Sequence, residues 1–170
     1  EAAQDWRLSL CLETALGIAQ AREIASCCPR VTVLTLGGQD LTADLGVTKT
    51  REGWELFVAR SQVALAARSC GIDAFDTIWA DVNDHEGLLE ETKKVLGLGF
   101  TGKAAIHPGQ IPWIHRAFVP EEKEIAKARR IVEAAEAAER EGRGLVAVDG
   151  KMVDAPGAKR ARHTLDLARL

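Results

Sequence analysis

Glu13, in Leu10-Cys11-Leu12-Glu13-Thr14, and Asp40, in Gly37-Gly38-Gln39-Asp40, each follow a short apolar run that reads as a β-strand. If those strands are parallel, both acids stand at the carboxyl edge of a sheet, where the loops of α/β folds face a common cavity and bind ligands. Two carboxylates there begin a magnesium site. The ion prefers hard oxygen ligands, often takes only one or two carboxylates from protein, and leaves waters or substrate oxygens to complete an octahedron. Gly37 and Gly38 add bare backbone, whose N–H groups could approach an anionic substrate beside the metal. Asp44, one helical turn past Asp40, is placed to join through a water. Each acid also has a simpler reading, as a helix cap or a first-turn residue favoured by the helix dipole.

The remaining polar candidates divide in the same way. Asp84, ahead of His85-Glu86-Gly87-Leu88-Leu89, reads as an N-cap. His107, in Ile106-His107-Pro108, either touches a ligand at a strand end or orients the next turn. Lys103 lies at the start of its strand, on the stability side, which favours solvent exposure or an ion pair over phosphate binding. His85, His115 and His163 fall on amphipathic helices and read as surface or interface residues. Cys11, Cys27, Cys28 and Cys70 form no C-x-x-C pair, so reduced structural thiols are expected rather than a disulfide framework or a zinc site.

Elements that could position these groups recur along the chain. Leu8–Leu12 reads as a strand before a helix near Ala15–Ser26, and Val31–Leu36 as a strand before a helix near Trp54–Cys70. Phe75–Ala80 then precedes a helix near His85–Leu96, and Gly102–Ile106 precedes Gln110–Phe118. Successive β-then-α units require parallel strands and crossover helices, so the fold class is α/β, as a barrel or an open doubly wound sheet. Gly71, Gly97 and Gly99 fall where helix C-caps are expected. The alternation stops at Pro120, which divides the chain into residues 1–119 and 120–170. The second part reads as a long helix from about Glu121 to Glu141, then a hairpin turning at Asp149-Gly150, then a helix from about Gly157 to Arg169. This appendage is either a lid or an arm reaching another subunit. The apolar face of its long helix and of the hairpin after it, unused by the β/α pattern, predicts a homo-oligomer.

Composition limits the partners. With 46% hydrophobic residues the chain can build a core, and a formal charge of −3 without a basic stripe argues against nucleic acid. No apolar run approaches the roughly 20 residues that span a bilayer. The acidic start Glu1-Ala2-Ala3-Gln4-Asp5 lacks the basic and apolar regions of a leader, so a cytoplasmic protein without membrane contact is expected.

Taken together, Leu12-Glu13-Thr14-Ala15 with Gly17, Leu36-Gly37-Gly38-Gln39-Asp40-Leu41 with Ala43-Asp44-Leu45-Gly46, Gly102-Lys103 with Ile106-His107-Pro108, and Asp149-Gly150-Lys151-Met152-Val153-Asp154-Ala155-Pro156 resemble the citrate lyase β-subunit family (CitE-like, within the HpcH/HpaI aldolase group). The resemblance implies a magnesium-dependent (β/α)₈ barrel, of which this chain matches roughly the last four units plus a C-terminal arm. It implies a lyase or synthase acting on a carbon–carbon bond of a coenzyme A thioester such as citryl-, malyl- or citramalyl-CoA, or of the same acyl group on an acyl-carrier protein. Glu13 and Asp40 match the magnesium ligands, and backbone amides of Gly38, Gln39 and Asp40 match the segment that holds the keto-acid carboxylate. Asp154 matches an acid/base that works from a neighbouring subunit; its simpler reading is a cap on the final helix. A trimer is implied, with other lyase subunits as further partners. The family's early substrate-binding arginine has no counterpart here, which leaves a noncatalytic or regulatory scaffold subunit as the alternative function.

Overall fold

The computed structural model of the chain describes residues 6–169; the acidic start Glu1–Asp5, read above as lacking a leader, lies outside the described residues. Two compact units divide within the helix Ile111–Phe118, residues 1–116 and 117–170.

The first unit is a four-stranded parallel sheet in the order β1 (Leu8–Leu12), β2 (Val31–Leu36), β3 (Asp73–Asp76), β4 (Gly102–Lys103). The crossovers are α1 (Ala15–Ala19) and α2 (Ala21–Ser26), then α3 (Gly38–Asp44) and α4 (Trp54–Cys70), then α5 (His85–Gly97). A 3₁₀ turn, Pro108–Gln110, leads from β4 into α6 (Ile111–Phe118). Leu12, Leu34, Leu36 and Ala74 point from the strands into a core completed by Leu41, Leu56, Val63, Ala67 and Val95 of the helices. The alternate residues face the other way. Ser9 Oγ and Thr35 Oγ1 share a hydrogen bond of 3.2 Å there, and Cys11 lies opposite Thr35 in the ladder. The α/β class and the parallel sheet therefore follow the sequence reading.

Several boundaries do not. The expected helix from Ala15 to Ser26 is broken at Gln20 into α1 and α2. β3 begins at Asp73 and ends at Asp76, not Ala80, because its partner β4 offers only Gly102 and Lys103 for pairing. β4 in turn stops three residues short of Ile106. Gly71 caps α4 and Gly99 follows the α5 cap, both with positive φ, whereas Gly97 is the last residue inside α5. The segment after β2, which the β/α pattern does not delimit as a separate helix, forms the helix α3, held by buried Leu41 and by Thr42, whose hydroxyl donates to the Gly38 and Gln39 carbonyls.

The second unit holds α7 (Glu122–Arg140), the antiparallel hairpin β5 (Val146–Val148) and β6 (Lys151–Val153), and α8 (Ala155–Leu167). Asp149 and Gly150 carry the positive φ angles that a two-residue turn of this kind needs. The Glu124 carboxylate accepts from the Glu121 N–H, the reach-back half of a capping box. The apolar face of α7 is partly covered within the chain: α7 packs on α8 and β5, burying Ile125, Ala128 and Ala138 with Ala158 and Ala161 of α8, while Ile131, Val132 and Ala135 stay half-buried.

Candidate active site

β1 and β2 run in register, with Leu12 opposite Leu36, so the residues that follow both strands emerge side by side. Glu13 lies over the backbone of Gly37. A Cβ at Gly37 would stand 2.6 Å from the Glu13 Cβ and 3.1 Å from its Oε2, and 2.9 Å from Cys11 Sγ. Asp40 is in the first turn of α3 and shares this neighbourhood. The thiol of Cys11 is pushed up by burial first, then by the charge of Glu13 and a hydrogen bond to it, and then by the charge of Asp40. Two carboxylates thus follow consecutive strand ends, and both are exposed.

The glycines have a different use from the one expected. The Gly37 N–H donates to the Leu12 carbonyl at 2.9 Å, and the Gly38 N–H donates to Thr77 Oγ1 at 2.9 Å. Both amides are committed within the fold. What glycine provides is close packing: a Cβ on Gly38 would stand 3.0 Å from both Leu56 Cδ1 and Thr77 Oγ1. Among the described residues, the N–H groups that open α3 without an internal acceptor are those of Gln39 and Asp40. They can donate to an anion.

Asp44 Oδ2 accepts from the Ala15 N–H at 2.7 Å, tying the end of α3 to the start of α1. Glu13 is not a cap, because Thr14 fills that role for α1 by accepting from the Gly17 N–H. Among the described residues no three His, Cys, Asp or Glu side chains gather into a metal site of their own. A pair of carboxylates still suits magnesium, which completes its shell with water and substrate oxygen.

Behind this rim lies a feature the sequence did not disclose. Asp76 of β3 accepts from Arg60 of α4 at 2.9 and 3.0 Å and from Lys103 of β4 at 2.6 Å. Glu91 of α5 accepts from the same Arg60 at 2.7 Å and the same Lys103 at 2.5 Å. All four side chains are buried. Burial pushes the Asp76 carboxyl upward, but the charges of Lys103 and Arg60 and their hydrogen bonds outweigh it and hold the group below the usual carboxylate range. Lys103 is therefore an ion-pair residue and not a solvent-exposed one. Asp76 immediately precedes Thr77, so the quartet fixes the strand end from which Thr77 reaches Gly38. The charges come from separate elements, and no spacing in the sequence pairs them.

The other candidates resolve simply. Asp84 caps α5 through the Gly87 N–H at 2.9 Å and also pairs with Arg51. His107 caps the 3₁₀ turn, its Nδ1 accepting from the Gly109 N–H at 3.0 Å. His85 stacks on Trp113 with ring centroids 5.0 Å apart, while His115 and His163 are exposed. In the second unit, Asp154 caps α8, with Oδ1 accepting from the Gly157 N–H at 2.8 Å, and it lines a cavity of about 210 Å³ with Arg143 and Arg162. All four cysteines are free thiols. Among the described residues no helix is long and apolar enough to cross a membrane.

A parallel α/β sheet with paired acids on its carboxyl edge defines a class of ligand-binding α/β proteins, and sequence comparison narrows it. The chain belongs to the HpcH/HpaI aldolase/citrate lyase family, whose profile matches residues 2–108. It is 46% identical over 159 residues to the citrate lyase subunit beta of Escherichia coli K12, a match covering 94% of this chain and 53% of that protein. It is 32% identical to the mitochondrial citramalyl-CoA lyase of Homo sapiens, covering 92% of this chain and 48% of that one. Its fold superposes with a TM-score of 0.83 and 34% identity on the crystal structure of protein CitE from Mycobacterium tuberculosis in complex with magnesium, acetoacetate and coenzyme A, over 99% of this chain and 62% of that one. The chain thus spans about half the length of the curated relatives it matches.

Proposed function

We propose that this chain carries the metal-binding part of a magnesium-dependent carbon–carbon lyase, or of the corresponding synthase, acting on a thioester of the citryl-, malyl- or citramalyl-CoA type. The products would be a keto acid and acetyl-CoA or a similar acyl thioester. The observation that carries this reading is the placement of Glu13 and Asp40 directly after two parallel strands of matched register, Glu13 packed against Gly37, with the open N–H groups of Gln39 and Asp40 at the start of α3. The relatives named as lyases, and the solved relative holding magnesium with acetoacetate and coenzyme A, support it.

Glu13 and Asp40 would hold the metal. Bound magnesium supplies electrophilic polarisation of the acid's oxygen. The amides of Gln39 and Asp40 orient the acid's carboxylate, with Gly38 shaping the turn rather than donating. Asp154 of a neighbouring copy exchanges the proton on the carbon next to the thioester. In this reading the sheet is part of a (β/α)₈ barrel and the second unit is an arm used between copies. The oligomer is a trimer, the thioester rides on coenzyme A or an acyl-carrier protein, and other lyase subunits join it. Free thiols support a cytoplasmic setting.

The test is thioester cleavage measured with and without magnesium on the purified chain, alongside magnesium titration by calorimetry. Magnesium-dependent release of a keto acid is expected. Magnesium binding without turnover would instead support the scaffold-subunit reading.

A further inference from the structure

Helix α4 is apolar on both sides. Leu56, Ala59, Val63 and Ala67 face the core and are buried. On the opposite side Trp54, Phe57, Val58 and Leu65 are 75%, 45%, 65% and 71% exposed, with the Trp54 and Phe57 rings in contact at 5.8 Å between centroids. A helix that is hydrophobic all round is normally a buried helix, and a contiguous exposed apolar patch marks a contact surface.

The spacing of the exposed stripe indicates what it contacts. Trp54, Val58, Ser61 and Leu65 follow one another at steps of four, three and four, the a/d repeat of a seam that receives a second helix. The stripe carries no charge from Trp54 to Leu65. Glu55, beside it, is tied back to the N–H and hydroxyl of Thr50, each at 2.8 Å, and Arg60 turns inward to Asp76 and Glu91. Identical helices can therefore meet along it without like-charge repulsion.

α4 crosses from β2 to β3, in the middle of the strand order, so strands added beyond β1 or β4 would extend the sheet to its sides. The size also suits a modest interface. At about 150–250 Å² per aromatic side chain, the exposed parts of the patch offer on the order of 500 Å², against about 800 Å² per partner in a standard interface.

We infer that α4 is a self-association surface: the Trp54–Leu65 face of one copy packs against the same face of another copy around the symmetry axis of the assembly. This deepens the self-association proposed above and rests on it, but not on the lyase chemistry. Because the residues are exposed, Val58→Glu and Leu65→Glu leave the core untouched, and circular dichroism should match the parent chain. Sedimentation velocity at micromolar concentration should show the parent as an oligomer and each variant shifted at least tenfold toward monomer. Independently, Ser61→Cys, at the centre of the stripe, should form a covalent dimer with a short bis-maleimide above the background set by the native cysteines. A monomeric parent overturns self-association and this surface together. An oligomeric parent that neither glutamate variant weakens, and that Ser61→Cys does not cross-link, overturns the surface while leaving self-association standing.

Discussion

The Gly38 N–H donates to Thr77 Oγ1 at 2.9 Å, joining the start of α3 to the end of β3 across 39 residues of sequence. Both groups are buried, so the bond has no water to replace it. Thr77→Val keeps the shape and removes the acceptor. Leaving a buried donor unsatisfied costs about 1–3 kcal/mol, which urea unfolding should show, whereas Thr77→Ser should recover most of it. Thr77 also positions the turn carrying Asp40, so the valine variant should bind magnesium more weakly and the serine variant normally. Equal stability and magnesium affinity in the valine variant would remove this role.

The metal proposal makes a sharper demand. Glu13→Gln and Asp40→Asn are nearly isosteric and lie at exposed positions, so the fold should persist. Each should weaken magnesium binding about tenfold or more in calorimetry, since the site relies on only one or two protein carboxylates. Unchanged affinity in both variants would reject the site.

The buried quartet ties stability to pH. The folded-state pKa of Asp76 lies below its ordinary value, so its contribution is fully present above the unfolded carboxylate pKa, about 4, and is lost as pH falls through the folded value. Urea unfolding followed down from neutral pH should therefore show stability falling on the acid side. Asp76→Asn should be less stable at neutral pH but show a shallower acid decline; an equal slope would contradict the assignment. Lys103→Met, which removes one partner of a buried network, should cost about 3–5 kcal/mol.

Asp154 can be tested so that capping and proton transfer separate. Asparagine caps helices as well as aspartate does, so Asp154→Asn should retain stability, while Asp154→Ala should lose about 1 kcal/mol. If Asp154 is the base, both variants should turn over roughly 10²-fold more slowly. Mixing Asp154→Asn with Glu13→Gln protein should then restore part of the activity between copies. Full turnover by the asparagine variant would leave capping as the residue's whole role.

Local signals in the sequence determined most of the elements. The apolar runs gave β1 and β2 their bounds, Gly71 closed α4 at Cys70, Asp84 began α5, and Asp149-Gly150 turned the hairpin. Each depends on a few neighbouring residues and on backbone preferences that the sequence carries directly. The placement of Glu13 and Asp40 after consecutive strand ends was legible for the same reason, because parallel strands of matched register end together. Tertiary structure decided the rest. Buried Leu41 and Thr42 stabilise a helix after the glycine pair that the β/α pattern did not delimit, and the two-residue β4 cut β3 short at Asp76. Gly38 looked like an open amide until Thr77 arrived from another strand to accept its proton. Arg60, Asp76, Glu91 and Lys103 are ordinary surface types in sequence; desolvation makes their pairing obligatory only once α4, β3, α5 and β4 enclose them. Side-chain partners across elements depend on register and packing, which local propensity does not encode.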